Sequence, residues 1–262
     1  MMTYTTKDEI HDYILSDLGL NNSRILDAAT GAGQSTQYLA EYIHHHDVNS
    51  EIISIDCDLS KEWIAKLTTK LGPLSKYVNF SECNIFEMPF ENKVFDVINC
   101  HDTLIFLNQP SLKITDALLE FKRVLKLSGT LIITSELAPE KDTDLLEWRR
   151  WNLSKAISCL LGRTWCDQMH YTELKSLLKI LCFEIIDCKQ FSARKNENIE
   201  DLVQEWKEMN IKRVQDFNYS NKLHDSIVEE MEQICSEIFN RGYLYSPSKY
   251  VIKCKKINSG IN

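Results

Sequence analysis

The sequence predicts an α/β protein in which a mainly parallel sheet is covered by helices on both faces. Short runs of apolar and β-branched residues alternate with longer amphipathic stretches of helical length, which is the pattern of βαβ units. Glycine and proline are scarce, with 8 Gly and 5 Pro among 262 residues, which favours long regular elements over a loop-rich fold.

Five strands are predicted in the first half of the chain, each as a short apolar run. They comprise residues 24–28, 51–56, 78–83, 94–100 and 130–134. The helices of this half have apolar residues at helical spacing and comprise about residues 6–18, 34–46, 60–70 and 111–126. Thr6 and Glu9 form a capping box for the first helix, and Ser60 can cap the third. Gly72-Pro73 is predicted to end the third helix, and Ser128-Gly129 to turn the chain into the fifth strand.

The second half is predicted to be more helical. Its helices comprise about residues 142–161, 172–181, 198–218 and 222–240, and its strands residues 183–187 and 250–254. These two strands could form a terminal hairpin that the two long helices interrupt. An insertion of that length usually has a covering or functional role. Trp148 and Trp151 follow the fifth strand, at the sheet edge where such folds bind ligands. They are candidate ligand contacts; the alternative is a packed helix with exposed arginines at positions 149 and 150.

Composition and charge exclude several classes of protein. The net charge of −8 disfavours a broad nucleic-acid-binding surface. The nine cysteines include no Cys-x-x-Cys pair, which indicates free thiols in a reducing, cytoplasmic setting rather than a disulfide or zinc framework. Three consecutive histidines, His44-His45-His46, cannot share a helix face, so no metal site is predicted. The polar start of the chain and the lack of a long apolar run indicate neither a signal peptide nor a membrane span.

The strongest functional signal is the glycine turn Asp27-Ala28-Ala29-Thr30-Gly31-Ala32-Gly33, between the first strand and its helix. Its two glycines let the backbone pass close to a ligand, and the amides of the helix start suit an anionic or strongly polar group. Asp56 ends the second strand about 20 residues further on, where nucleotide-binding βαβ units have an acceptor for ribose hydroxyls. Thr36 stands where a dinucleotide fingerprint has a third small residue. The pattern therefore points away from a pyrophosphate and towards a ligand with an amino-acid end.

With these motifs the sequence resembles the class I S-adenosylmethionine-dependent methyltransferases. The matching stretches are residues 25–33, 53–56, 84–85, 88–90, 94–98 and 121–131, in the order and spacing of that family. Residues 171–174 and 183–186 also resemble the family's last helix and sixth strand. The resemblance implies a Rossmann-like α/β fold with a seven-stranded, mostly parallel sheet, helices on both faces and helical cover insertions.

The resemblance also implies a single methyltransferase domain over residues 1–262. Its core would comprise about residues 20–136, 170–191 and 249–256. Its helical cover would comprise about residues 137–169 and 195–246.

The resemblance assigns cofactor contacts to residues of this sequence. Gly31 and Gly33 would lie beneath the methionine portion of S-adenosylmethionine, with Asp27 near its amino group. Asp56 would accept hydrogen bonds from both ribose hydroxyls, and Cys57 would pack beside the adenine. The implied cofactor-binding residues are Asp27, Ala29, Thr30, Gly31, Gly33, Thr36, Asp56, Cys57, Asn84, Ile85, Cys100 and His101.

Two of these residues depart from the pattern of the family. Asn84 stands where the family commonly has Asp; its amide oxygen can still accept a hydrogen bond from the adenine amine, but without charge. Ala29 replaces a frequent glycine, which slightly tightens the turn.

Methyl transfer is an in-line displacement at an activated sulfonium, so proximity and alignment can supply most of the acceleration. A base is needed only if the acceptor arrives protonated. His101 is the candidate for that base or for a substrate contact; the alternative is that its backbone merely lines the pocket. Tyr4, Trp148 and Trp151 are the candidate substrate-binding residues.

The implied function is methyl transfer to an O, N or C nucleophile on a small molecule. Cys100-His101-Asp102-Thr103 stands where amide and adenine methyltransferases have Asn-Pro-Pro-Tyr and cytosine methyltransferases have a Pro-Cys nucleophile, which argues against those reactions. The alternatives are a protein or RNA methyltransferase, a non-catalytic S-adenosylmethionine-binding protein and an NAD-dependent enzyme. The oligomeric state stays open.

Overall fold

The computed structural model describes residues 9–107, 113–142, 144–162, 168–215 and 220–257. The chain divides into two compact units, which we call the sheet unit and the helical unit. The sheet unit comprises the described residues of Met1–Ser135, Gln168–Gln190 and Tyr250–Asn262, and the helical unit those of Glu136–Asp167 and Phe191–Lys249. That all these segments act as one domain stays a prediction.

The described residues form nine strands and nine α-helices. The strands are β1 Arg24–Ala28, β2 Glu51–Asp56, β3 Val78–Glu82, β4 Phe95–His101, β5 Leu125–Glu136, β6 Phe183–Phe191, β7 Lys195–Asn196, β8 Leu244–Tyr245 and β9 Lys249–Lys256. The helices are α1 Glu9–Leu15, α2 Gln34–His46, α3 Lys61–Leu71, α4 Leu104–Leu107, α5 Lys113–Val124, α6 Leu145–Leu160, α7 Tyr171–Ile180, α8 Glu200–Gln215 and α9 Asn221–Arg241.

Seven strands form one sheet in the order β3-β2-β1-β4-β5-β9-β6. The pairs β1–β2, β1–β4, β2–β3 and β4–β5 are parallel. β1 and β2 are buried along nearly their whole length rather than at alternate residues, as expected for strands covered on both faces. The predicted seven-stranded α/β fold is therefore confirmed, and β9 lies beside β6, as the predicted terminal hairpin requires. Parallel pairing brings the carboxyl ends of β1 to β4 to one edge of the sheet.

The prediction for the start of the fifth strand was wrong. Helix α5 ends at Val124, and β5 runs through Ser128 and Gly129 instead of beginning after them. The register between β4 and β5 shifts here, from Phe95 opposite Leu125 to Val97 opposite Thr130. Ser128 has a left-handed φ of 60°, and a Cβ on Gly129 would lie 2.9 Å from the Lys126 carbonyl oxygen. Ser128 and Gly129 therefore form an irregularity within β5. Because they are typical turn residues, the sequence predicted a turn before the strand instead.

Several helix ends follow the predicted signals. The Ser60 hydroxyl accepts a hydrogen bond from the backbone N–H of Trp63, which confirms the predicted cap of α3. Beyond α3 the chain continues as a 3-10 helix, Gly72–Tyr77, which the stop signal at Gly72-Pro73 did not predict. The Thr6 capping residue and Tyr4 lie outside the described residues.

The helical unit is built on α6, α8 and α9. Their facing side chains form a core that includes the fully buried Ile157, Val214, Met231, Ile234 and Ile238. Strands β7 and β8 pair as a short antiparallel ribbon. With two residues each they are too short to show an alternating pattern, so the sequence did not predict them. None of the helices in the described ranges is long and apolar enough to cross a membrane.

Candidate functional site

We call residues 29–33, the loop between β1 and α2, the glycine loop. Ala29, Gly31 and Gly33 all have left-handed φ angles, of 67°, 48° and 74°. At Gly33 an added Cβ would lie only 2.7 Å from the Leu67 side chain, so a larger residue would require Leu67 to move. Gly31 has open space where a Cβ would be, so glycine is needed there for its left-handed φ and not for lack of room. The loop therefore needs glycine for two different reasons.

Asp56, at the carboxyl end of β2, contacts the glycine loop directly. Its Oδ2 accepts a hydrogen bond of 2.9 Å from the Gly31 backbone N–H. Its Oδ1 accepts from the Asp58 N–H at 3.3 Å. No described lysine or arginine forms an ion pair with this carboxylate, so its negative charge stays available to a ligand.

Asp27 lies fully buried beneath the glycine loop. Its Oδ2 accepts hydrogen bonds from Thr36 Oγ1 at 2.6 Å and from Ser54 Oγ at 3.1 Å. Its Oδ1 accepts from the Asn99 amide at 3.2 Å. Burial raises the pKa of the Asp27 carboxyl, although these hydrogen bonds oppose the shift. Asp27 is thus a buried acid held by neutral donors alone among the described residues.

A cavity of about 420 Å³ opens at this edge of the sheet unit. Its volume falls within the range of about 300–1,000 Å³ that is typical of small-molecule sites. Eight of the predicted cofactor residues line it: Ala29, Thr30, Gly31, Asp56, Cys57, Asn84, Ile85 and His101. The other four, Asp27, Gly33, Thr36 and Cys100, are not among its lining residues. Burial raises the pKa of the Cys100 thiol to about 12, so this cysteine stays a neutral thiol.

Asn84 is engaged in a local turn on the cavity wall. Its Oδ1 accepts a hydrogen bond of 3.1 Å from the Phe86 N–H. A carbonyl-type oxygen has two lone pairs, so it can accept a second hydrogen bond from a ligand.

His101 ends β4 and is one of the lining residues of the cavity. Its Nε2 lies 3.4 Å from Asp102 Oδ2. Its ring centroid is 6.0 Å from that of His11 on α1 and 5.9 Å from that of Tyr38 on α2. Its Nδ1 is buried and has no hydrogen-bond partner among the described residues. Asp102 has a left-handed φ of 50°, which places backbone strain next to this histidine.

Ten further residues line the cavity that the sequence did not indicate. They are Ala32, Gln34, Ser35, Ile55, Cys83, Phe86, Asp102, Thr103, Phe106 and Leu107. Most of them directly follow or adjoin the carboxyl ends of the strands, and this placement was the available signal. Phe106 is 66% exposed although it is a large aromatic residue. It therefore offers an apolar surface at the cavity wall.

The candidate substrate residues Trp148 and Trp151 lie on α6 in the helical unit and are half-buried. The Lys141 ammonium lies 5.5 Å from the Trp148 ring centroid, and the Lys155 ammonium 5.1 Å from that of Trp151. The arginines between them are not free, since both form ion pairs with glutamates. All lining residues of the cavity belong to the sheet unit, so neither tryptophan is among them. No group of three or more metal-ligating side chains is present in the described ranges.

The sheet order and the glycine loop together define the fold of a class I methyltransferase. A family model described as "Methyltransferase domain" matches residues 20–239 of the 262-residue chain. The chain therefore belongs to this methyltransferase family, which confirms the resemblance and identifies the enzyme class.

An individual relative agrees with this assignment. An uncharacterized methyltransferase of Schizosaccharomyces pombe is 30% identical over 111 residues, which are 40% of this chain and 37% of that relative. The matched region thus spans only about a third of the relative's length.

Two solved structures share the fold along nearly the whole chain. A putative methyltransferase from Bacillus halodurans C-125 is 17% identical with a TM-score of 0.59, covering 95% of this chain and 99% of that one. A geranyl diphosphate methyltransferase in complex with S-adenosylmethionine is 12% identical with a TM-score of 0.54, covering 95% and 84%. At such identities the likeness concerns the fold.

Proposed function

We propose that the protein transfers the methyl group of S-adenosylmethionine to an O, N or C nucleophile of a small molecule. The observation that carries the proposal is the hydrogen bond between Asp56 and the Gly31 N–H on the wall of the 420 Å³ cavity. It joins the acidic end of β2 to the glycine loop. One site thus combines a hydroxyl acceptor with exposed loop backbone, as a nucleoside joined to an amino acid requires.

The residues present fit this cofactor. The Asp56 carboxylate would accept from the ribose hydroxyls, while Cys57, Asn84 and Ile85 would surround the adenine. The space above Gly31 would take the methionine portion, because no atom lies within 4 Å of a Cβ placed there. When bound, S-adenosylmethionine supplies an activated methyl group on a sulfonium.

Four residues of the predicted cofactor set do not line the cavity. We propose that Asp27, Gly33, Thr36 and Cys100 act from beneath it. Asp27 would provide a buried negative charge towards the amino group of the cofactor, directly or through water. Thr36 would hold that carboxylate in place through its 2.6 Å hydrogen bond.

We propose that His101 contacts the acceptor and takes its proton when the acceptor arrives protonated. Asp102, 3.4 Å from Nε2, would stabilise the resulting imidazolium. No lysine or arginine is among the lining residues that the structure describes. A neutral or cationic acceptor therefore suits this cavity better than a phosphorylated one.

The remaining assignments are also proposals. Tyr4, Trp148 and Trp151 are proposed to contribute to acceptor binding, and the segments of both units to act as one methyltransferase domain. A cytoplasmic, reducing location is supported by the eight described cysteines, all of which are free thiols. The acidic net charge of −8 favours a small molecule over a nucleic acid as the acceptor.

Calorimetric titration with S-adenosylmethionine, S-adenosylhomocysteine and NAD tests the cofactor class. We expect S-adenosylmethionine and S-adenosylhomocysteine to bind and NAD not to bind. If neither of the first two ligands binds, the proposal is wrong. Transfer of a labelled methyl group to fractions of small molecules, protein and RNA then separates the alternatives. Label in the small-molecule fraction is expected. Label in protein or RNA would point to a macromolecular acceptor, and no transfer to any fraction to a non-catalytic binding protein.

A further inference from the structure

One face of α3 contacts the glycine loop through three side chains. Trp63, Leu67 and Lys70 follow one another at i, i+4 and i+7, which places them on the same side of the helix. The Trp63 indole N–H donates a hydrogen bond of 3.1 Å to the Gly31 carbonyl oxygen. The Lys70 ammonium donates one of 2.8 Å to the Ala32 carbonyl oxygen. Leu67 fills the space where a Cβ on Gly33 would lie. Each of the three loop residues 31–33 is thus contacted by a different side chain of this helix face.

These contacts fix the direction of the loop's amide groups. A peptide unit is planar and trans, so its C=O and the following N–H point in opposite directions. Because Trp63 holds the Gly31 carbonyl, the Ala32 N–H is turned away from α3. In the same way Lys70, by holding the Ala32 carbonyl, orients the Gly33 N–H, which donates to the Thr30 carbonyl at 2.8 Å.

On its other side, the loop is held by Asp56 through the Gly31 N–H. Glycine has wide conformational freedom, and a loop that is free must be ordered when its ligand binds. Trp63 is 37% exposed, so burial of its ring accounts for only part of its contribution to holding the loop. Its indole N–H is the feature that a smaller apolar residue could not supply.

We propose that Trp63 and Lys70 are positioning residues of the cofactor site, which hold the glycine loop ready for the amino-acid end of S-adenosylmethionine. The proposal rests on the proposed function, since it assigns these residues to the same site. Neither Trp63 nor Lys70 is among the lining residues of the cavity, so both would act through the carbonyl groups of the loop. The adenine and ribose end would depend instead on Asp56, Cys57 and Asn84.

The test compares two ligands that differ only in the end that the loop would bind. S-adenosylhomocysteine has the amino-acid end, whereas 5′-methylthioadenosine has the adenine and ribose without it. Trp63→Phe removes the indole N–H and keeps an aromatic ring. We expect Trp63→Phe to weaken the binding of S-adenosylhomocysteine about threefold to tenfold, as for the loss of one hydrogen bond. The affinity for 5′-methylthioadenosine should change less than about twofold.

Lys70→Met is a second, independent variant, because this exposed side chain can be changed without loss of core packing. It should weaken S-adenosylhomocysteine in the same selective way. Lys61→Met, on the same helix but without a contact to the loop in the described structure, is the matched charge control and should leave both affinities unchanged. Calorimetry gives the affinities, and urea unfolding of each variant verifies that it is folded.

The outcomes separate the two proposals. The positioning role would be overturned if the variants bound both ligands equally more weakly, or if neither variant bound S-adenosylhomocysteine more weakly. The proposed function would stand in both cases. Failure of the unmodified protein to bind either ligand would overturn the proposed function itself. Selective weakening in both variants, with the Lys61→Met control unchanged, is the result that we expect.

Discussion

The sheet unit and the helical unit surround their buried carboxylates with different partners. In the helical unit Glu147 is 6% exposed and accepts hydrogen bonds from Arg150, Arg241 and the Tyr245 N–H. In the sheet unit Asp27 is fully buried, yet its described donors are hydroxyl and amide groups without charge. At Glu147 the attraction of the two arginines offsets the cost of burying the carboxylate. A carboxylate without a cation is costly to bury, and we propose that at Asp27 the ligand brings the positive charge.

The two units also differ in how many of their residues have a strained backbone conformation. Eight described residues other than glycine have left-handed φ angles, and all eight belong to the sheet unit. In the helical unit the described residues with such angles are Gly162 and Gly242, for which this conformation is unstrained. Two of the eight, Ala29 and Asp102, line the cavity. Two of the strained residues thus belong to the candidate site, as expected where structure is shaped for binding.

The largest effect on stability is expected from breaking the charge pairs of the helical unit. Arg241 contacts Asp144 at 2.8 Å and Glu147 at 3.1 Å, and all three side chains are largely buried. Arg241→Met should lower the free energy of unfolding by about 3 kcal/mol, because it leaves two carboxylates short of their partner. Urea unfolding measures this change. A loss below about 1 kcal/mol would show that the pairs of the helical unit do not stabilise it.

The largest effect on catalysis is expected at His101. His101→Gln keeps a polar side chain but removes the base, so kcat should fall about 100-fold with a protic acceptor found in the methyl-transfer screen. The affinity for S-adenosylmethionine should fall much less than kcat. Pre-steady-state measurement of the methyl-transfer step checks this. An unchanged rate would mean that only the backbone of His101 lines the cavity.

The difference between the two kinds of carboxylate can be measured at Asp27. Asp27→Asn should stabilise the ligand-free protein by about 1 kcal/mol near neutral pH, because the acid is ionised in the unfolded chain and burial disfavours that ionised form, a cost that a neutral amide avoids. The Asn99 Oδ1, which is buried and has no partner among the described residues, can accept from the new amide after a flip of the Asn99 side chain. Binding of S-adenosylmethionine should weaken in the same variant.

The pH dependence of this effect has a definite sign. The pKa of Asp27 is raised in the folded protein, so the folded state favours the protonated acid. Stability of the unmodified protein is therefore lost as pH rises through that pKa, and the advantage of Asp27→Asn grows with pH. Urea unfolding of both proteins between about pH 5 and pH 8 tests this. An advantage that shrinks as pH rises would contradict the buried-charge interpretation.

Much of this site could be predicted because its signals are local in sequence. The glycine loop directly follows one apolar strand and Asp56 ends the next, and parallel pairing brings such positions to one edge. The contact of Trp63 with Gly31 could not be predicted, because it joins residues 32 positions apart whose meeting depends on how α3 packs. Phe106 was missed although it follows the end of β4 by only five residues. The roles of Tyr4, Trp148 and Trp151 stay predictions.

The smallest effect is expected from relieving strain in the glycine loop. Ala29 has a φ of 67°, which glycine adopts without steric cost. Ala29→Gly should raise the free energy of unfolding by up to about 1 kcal/mol, less the extra entropy of the unfolded glycine. Thermal unfolding detects this change. A clear loss of stability would mean that the alanine methyl packs favourably and that the loop is not strained at this position.

The central claim, that one cavity of the sheet unit binds S-adenosylmethionine through Asp56, is tested most directly by calorimetry of Asp56→Ala beside the unmodified protein. Asp56→Ala should bind S-adenosylmethionine more than about tenfold more weakly, corresponding to about 1.5–3 kcal/mol for hydrogen bonds to a charged group. Equal affinities of the two folded proteins would contradict the claim, because the ribose would then lie elsewhere.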